Sequence, residues 1–178
     1  MSEPQSSESK KKRRKKKAKR ELRVIGWRAR VDLPDFGLEG VQVKVDTGAR
    51  TSSLHATHIR HFTKDGAEWV RFRVHTGKRG ARVHTAVEAP LLDCRNIRSS
   101  NGAVEERIVI ATRISTMGLT WDAEVTLAKR GSMAFPMLLG RACLRERFLV
   151  DSGRSYIKPR PPIPVLPPKA PAPQPPTT

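Results

Sequence analysis

The residues best suited to chemistry in this chain form one short string, Asp46-Thr47-Gly48-Ala49. Peptide hydrolysis by carboxylates needs two of them a few ångströms apart. Like charges that close cannot both ionise, so one acts as base toward a water and the other as acid. The neighbours of Asp46 fit such a loop. The Thr47 hydroxyl can hold an adjacent group, and Gly48 lets two backbones approach where a side chain would collide. Turn chemistry alone also explains Asp-x-Gly, so the string needs a partner motif before it means catalysis.

Other reactive side chains are less well arranged. His55, His58 and His61 fall three residues apart, with His75 and His84 further on. On one short helix such a series rotates around the axis, so at most two could share an ion. A zinc hydrolase needs three ligands and an open position, commonly with H-E-x-x-H, a string this chain does not contain. Gly77-Lys78 lacks the first glycine and the hydroxyl residue of a nucleotide-binding G-x-x-x-x-G-K-[ST] loop. The reading therefore calls for no metal and no cofactor. Cys94 and Cys143 read as unpaired thiols of an intracellular protein.

The elements that must position Asp46 read as strands. In Val41-Gln42-Val43-Lys44-Val45 the valines share one face and Gln42 and Lys44 the other, so a half-buried strand runs directly into Asp46. Similar stretches are Val24–Val31, Trp69–His75, Arg82–Glu88, Glu106–Ile114, Thr120–Leu127 and Phe148–Val150, separated by turn signals at Pro34–Gly37, Lys64–Gly66, Thr76–Lys78, Ser99–Gly102 and Met117-Gly118. Two segments read as short helices, Ser53–His58 and Arg141–Arg147. Many short strands with frequent turns predict an all-β fold, a small closed or nearly closed barrel with one or two short helices.

Both ends read as separate from that domain. Residues 1–21 hold a run, 10–20, that is basic at every position except Ala18, and residues 159–178 hold ten of the fourteen prolines. Self-repelling charge and dense proline predict disordered tails around a folding unit at residues 22–158. The formal net charge is +18, of which residues 1–20 contribute +8, so the remainder is itself strongly basic. Residues 10–20 would attract nucleic acid or acidic protein weakly and without sequence preference. With neither a membrane-length apolar run nor an apolar stretch after the basic one, the chain reads as cytoplasmic, without membrane contact.

A second motif gives Asp46 its partner. Met137-Leu138-Leu139-Gly140-Arg141 combines an apolar run with Gly-Arg at the start of the second helical segment. This pair, D-T-G-A ending one strand and apolar-apolar-Gly-Arg later, resembles the signature of retropepsin-like aspartic peptidases. The match extends through Gly26-Trp27-Arg28, Lys44–Ala56, Trp69–Phe72, Ser99–Gly102, Met137–Arg141 and Phe148–Asp151 to a bacterial family within that group, one that also goes by the name ATP-dependent zinc protease and is often encoded beside an ATP-grasp glutamate ligase. The resemblance implies that Asp46 is catalytic, that Thr47, Gly48, Ala49, Gly140 and Arg141 support its loop, and that a two-fold homodimer supplies the second Asp46. Asp151-Ser152-Gly153 has the motif's form, but the few residues before Pro159 leave no room for a second lobe, so it reads as a strand ending in a turn.

Two departures follow from the resemblance. Arg50 stands where retroviral enzymes carry an acidic residue able to pair with the later arginine. The interval from Asp46 to Gly140 is also longer, which places a remodelled flap within residues 60–105, with Thr76–Gly80 and Ser99–Gly102 as candidate tips. The expected activity is an aspartic endopeptidase acting on acidic or glutamylated proteins, with Arg50 and His55 as substrate-binding residues. The competing expectation is a non-catalytic module of the same fold that binds protein or nucleic acid through a basic surface.

Overall fold

The computed structural model describes residues 21–78, 81–98, 102, 104–129, 134–159 and 163–164. The basic run at 10–20, most of the proline-rich end and parts of both candidate flap tips lie outside the described residues. The described part is nearly all β. In chain order the strands are β1 (Glu21–Leu33), β2 (Leu38–Asp46), β3 (Ser52–Lys64), β4 (Ala67–Lys78), β5 (Ala81–Arg98), β6 (Val104–Thr116), β7 (Leu119–Ala128), β8 (Met137–Gly140), β9 (Phe148–Ser155) and β10 (Ile163–Pro164). One α-helix, α1 (Arg141–Leu144), follows β8, and a 3-10 turn at Pro34–Phe36 joins β1 to β2.

The strands pair in the order β10-β1-β2-β8-β3-β4-β5-β6-β7, and further pairings of β6 with β1 and of β7 with β3 bring the sheet back on itself. The outcome is the nearly closed all-β arrangement expected from strand spacing. Turn chemistry sets the hairpins. Asp65 and Gly66 between β3 and β4, and Met117 and Gly118 between β6 and β7, each take two successive positive φ angles, the twist that joins adjacent antiparallel strands in two-residue turns. Asp35 anchors the 3-10 turn to β6 by accepting from the backbone N–H and Nε of Arg113, at 2.6 and 2.7 Å.

The core is built from alternate residues of these strands. Val41, Val43 and Val45 of β2 meet Leu54 of β3, Val70, Phe72 and Val74 of β4, and Met137 and Leu139 of β8, all buried. Phe72 packs edge-on against Phe36, with ring centroids 5.8 Å apart. Burying a side chain of this size contributes roughly 1.5–3 kcal/mol. Of the two cysteines, Cys94 is free and exposed, and Cys143 is free and buried.

Two local expectations change. Ser53–His58 is not a helix but the first half of β3. Its neighbours decide this: Ser52–His55 pair in parallel with Val125–Ala128 of β7, while Ser53 and Leu54 pair with Leu138 and Met137 of β8. A segment with strands on both sides and both faces covered shows no period-two alternation, which is why a short mixed run reads as helix. Phe148–Val150 does not end in a turn either. The strand continues through Asp151 to Ser155, held in parallel against β1.

Candidate active site

Strand β2 ends at Asp46 because β8 runs parallel beside it in a fixed register, Val43 opposite Met137 and Asp46 opposite Gly140. Beyond that point the chain turns on the aspartate itself. Asp46 Oδ1 accepts hydrogen bonds from the backbone N–H groups of Gly48 and Ala49, at 3.0 and 3.1 Å. Among the described residues Oδ2 accepts none, so one carboxylate oxygen is fixed and the other is available.

Gly140 and α1 close the back of this loop. A methyl group on Gly140 would stand 2.6 Å from the carbonyl carbon and oxygen of Thr51 and 2.9 Å from the Arg50 oxygen. Only glycine lets the two backbones lie this close. The next two amides reach across: Arg141 N–H donates to the Ala49 carbonyl at 2.7 Å and Ala142 N–H to that of Arg50 at 3.0 Å. The Arg141 guanidinium adds a bond to the Thr47 carbonyl at 3.1 Å. The Gly140 N–H donates to Ser52 Oγ at 3.0 Å, and that hydroxyl donates to Cys143 Sγ at 3.2 Å, both inside the core. Ser52 and Cys143 are loop supports that sequence reasoning did not single out. Nothing in their spacing signals a contact across 91 residues.

The expected site residues therefore divide. Asp46, Gly48, Ala49 and Arg50 line one cleft of about 1180 Å³, while Gly140 and Arg141 hold the loop from behind. Thr47 is exposed and contributes its carbonyl. Arg50 does not engage Arg141; its backbone carbonyl takes the helix amide and its side chain faces the cleft. His55 lies elsewhere. It is buried, with Nδ1 3.3 Å from the Ala128 carbonyl and its ring 4.8 Å from that of His75, which in turn lies 4.4 Å from the His84 ring.

Five cations, Lys44, Arg50, Arg95, Arg107 and Arg147, line the cleft with Asp46, Asp122 and Glu124. Arg95 bonds Glu124 and Asp93 at 2.6 and 2.7 Å, and Arg107 bonds Glu105 at 3.1 Å. The Arg95 guanidinium accordingly holds the Glu124 carboxyl below the usual carboxylate range. Lys44 and Arg50 have no ion pair among the described residues, so the positive charge left over sits beside Asp46.

Asp151-Ser152-Gly153 repeats part of this geometry. In β9, Asp151 stands opposite Gly26 of β1 in a parallel pair, as Asp46 stands opposite Gly140. Asp151 Oδ1 accepts from Gly153 N–H at 2.9 Å. Its other oxygen is taken by Arg154 Nε at 2.6 Å, and that guanidinium holds the carboxyl below its ordinary range. His55, His58 and His61 lie along a strand, and no group of three or more His, Cys, Asp or Glu among the described residues is placed to hold an ion. No helix among them is long and apolar enough to cross a membrane.

Comparison with known proteins agrees with this geometry. A crystal structure from Legionella pneumophila subsp. pneumophila str. Philadelphia 1, of a protein of unknown function (DUF785), superposes with a TM-score of 0.63 at 27% identity, covering 75% of this chain and 95% of that one. A probable alpha-L-glutamate ligase of Shewanella halifaxensis (strain HAW-EB4) is 41% identical over 133 residues, and one of Desulfotalea psychrophila (strain LSv54 / DSM 12343) is 39% identical over 129. These alignments cover 75% and 72% of this chain but only 29% and 28% of the relatives' lengths. Residues 24–161 match the RimB-like family, described as retropepsin-like aspartic endopeptidase RimB. With the paired Asp46 and Gly140 motifs inside the matched span, the chain belongs to the RimB-like family of retropepsin-like aspartic endopeptidases.

Proposed function

We propose that the protein is an aspartic endopeptidase whose working site is two copies of Asp46 brought together across a two-fold homodimer. The observation that carries this reading is the half-engaged carboxylate: Asp46 Oδ1 fixed by two amides, Oδ2 unengaged among the described residues, on a cleft rim. In such a pair the ionised carboxylate takes a proton from water as the water oxygen attacks the scissile carbonyl. The protonated partner gives its proton to the carbonyl oxygen, and protonation of the amide nitrogen then lets the peptide bond break. Thr47, Gly48 and Ala49 hold the loop, and Gly140 and Arg141 brace it. No metal enters these steps.

The substrates proposed are acidic or glutamylated proteins. Support comes from Lys44 and Arg50 on the cleft with Asp46, neither in an ion pair among the described residues although Arg50 lies within the field of Glu124, since cations in excess of the local carboxylates favour an anionic ligand. His55, buried and outside the cleft lining, supports a substrate only indirectly, through the position of β3.

The test compares wild type with Asp46→Asn on glutamate-rich and neutral peptides, with and without chelator, alongside sedimentation. The expected result is cleavage of the acidic peptide by a dimer, lost on substitution and indifferent to chelator. Cleavage by Asp46→Asn would refute the role of Asp46. A strictly monomeric active enzyme would refute the shared pair and turn attention to Asp151. Equal turnover of neutral peptides would refute the substrate class.

A further inference from the structure

The sheet formed by β3, β4 and β5 has one covered and one open face. Val70, Phe72 and Val74 of β4 are buried, so the alternate residues Trp69, Arg71 and Arg73 point the other way. The registers set the rows of that open face. Arg73 lies between Thr57 and Ala86, Arg71 between Arg60 and Glu88, and Trp69 between Phe62 and Pro90. An extra residue in β3 between Thr57 and Arg60, where His58 takes a φ of 53°, keeps Arg60 and Phe62 on the same side.

This row pattern is unfavourable for a sheet left alone. Arg60 stands directly opposite Arg71, and like charges in that position repel. The one acidic residue of these rows, Glu88, is taken by Arg71 at 2.6 Å and approached by Lys64 at 4.0 Å. Arg60 and Arg73 have no ion pair or side-chain hydrogen bond among the described residues. Next to these cations sits an aromatic pair, Phe62 and Trp69, with ring centroids 6.5 Å apart, carrying Arg71 and Lys64 at 5.5 and 4.7 Å. None of these residues lines the cleft at Asp46.

We infer that this open face is a docking surface for single-stranded nucleic acid, separate from the peptidase cleft. Side chains two apart on one strand are spaced by about 6.6 Å, so Arg73, and Arg60 one row along on the neighbouring strand, can contact successive phosphates while Arg71 stays on Glu88. The adjoining rings offer the stacking surface that accompanies backbone contacts in single-strand binders. An acidic peptide would satisfy the arginines but has no use for the aromatic row, and this favours nucleic acid over protein.

The experiment uses the full chain, so that the basic run at 10–20 contributes equally to every variant. Binding of a labelled twelve-nucleotide oligouridylate is followed by fluorescence anisotropy across salt concentrations, for wild type, Arg60→Ser with Arg73→Ser, Phe62→Leu, and Arg145→Ser as a control off this face. The double substitution is expected to weaken binding about ten-fold at ~0.1 M salt and to lower the salt slope by about 1.4, near 0.7 for each phosphate contact. Phe62→Leu should weaken oligouridylate several-fold and leave inorganic polyphosphate unchanged. The Arg145 variant should match wild type. A double variant indistinguishable from wild type overturns the inference, because the basic run then supplies all the affinity. Equal competition by oligoglutamate of the same charge also overturns it, and assigns the face to acidic protein.

Discussion

Replacing Gly140 by alanine tests how the catalytic loop is held. The added methyl would lie 2.6 Å from the backbone of Thr51 and 2.9 Å from the Arg50 oxygen. To reach an ordinary contact of about 3.5 Å, that backbone must retreat by close to 1 Å. Neither neighbour is a flexible side-chain end, so the strain cannot be relieved by a rotamer change. Overpacking of this kind costs roughly 1–3 kcal/mol. The retreat also stretches the Gly140–Ser52 bond and the two bonds from α1 to the Ala49 and Arg50 carbonyls, which are worth about 1 kcal/mol each when intact. With those bonds only partly lost, the expected destabilisation is about 3 kcal/mol, which lowers Tm by roughly 6–12 °C in a chain of this size. Thermal denaturation followed by circular dichroism measures it. Gly48→Ala is the internal comparison, because its methyl would meet only the Asp46 Oδ1 atom, at 3.3 Å. That variant should stay within about 0.5 kcal/mol of wild type while losing peptide cleavage, since the oxygen it displaces is the one that fixes the carboxylate. Melting of Gly140→Ala within 2 °C of wild type (a shift of about 1 kcal/mol or less), or a Gly48→Ala protein less stable than Gly140→Ala, would refute the reasoning.

Three further outcomes are expected. Ser52→Ala removes the acceptor of a buried N–H and should cost about 1–3 kcal/mol in chemical denaturation; an unchanged midpoint would show that the Gly140 amide finds another partner. Gly26→Ala drives a methyl into the Arg154 carbonyl, 3.0 Å from its carbon, and should lower Tm by several degrees, about 1–3 kcal/mol of overpacking, while Asp46 stays intact; wild-type melting would mean β9 is loosely held. The Arg113 guanidinium and the Arg154 guanidinium hold the Asp35 and Asp151 carboxyls below their ordinary values. A depressed folded-state value means that the folded chain binds the proton less tightly, so these pairs stabilise fully above about pH 4 and are lost as pH falls through the depressed values. Tm should therefore drop as pH falls below about 4, and the drop should shrink in Asp35→Asn; an identical acid profile in that variant would remove the pair from the explanation.

The legible parts of the protein were those written in short-range pattern. Alternation in Val41–Val45 placed a strand, the string after it placed a turn, and the apolar run before Gly140-Arg141 placed a second element opening a helix. The helix proved shorter than Arg141–Arg147, ending at Leu144. Ser53–His58 was illegible for a definite reason: its first half, Ser53–His55, pairs with β7 and β8, strands that arrive more than seventy residues later, and only Ala56 and Thr57 pair with the nearer β4. His55, expected to bind substrate, is instead a buried ring beside His75, because both faces of β3 are covered there.

By itself the sequence determined that an aspartate ends a half-buried strand and that a glycine-arginine pair waits downstream, because side-chain alternation and turn chemistry are local properties. Only the tertiary structure decided that Asp46 and Gly140 share a register, that Ser52 and Cys143 complete the loop's support, and that Asp151 faces Gly26 with its carboxylate occupied by Arg154. Those contacts join residues far apart in the chain through parallel pairing and backbone approaches that only glycine permits, and neither leaves a period in the sequence.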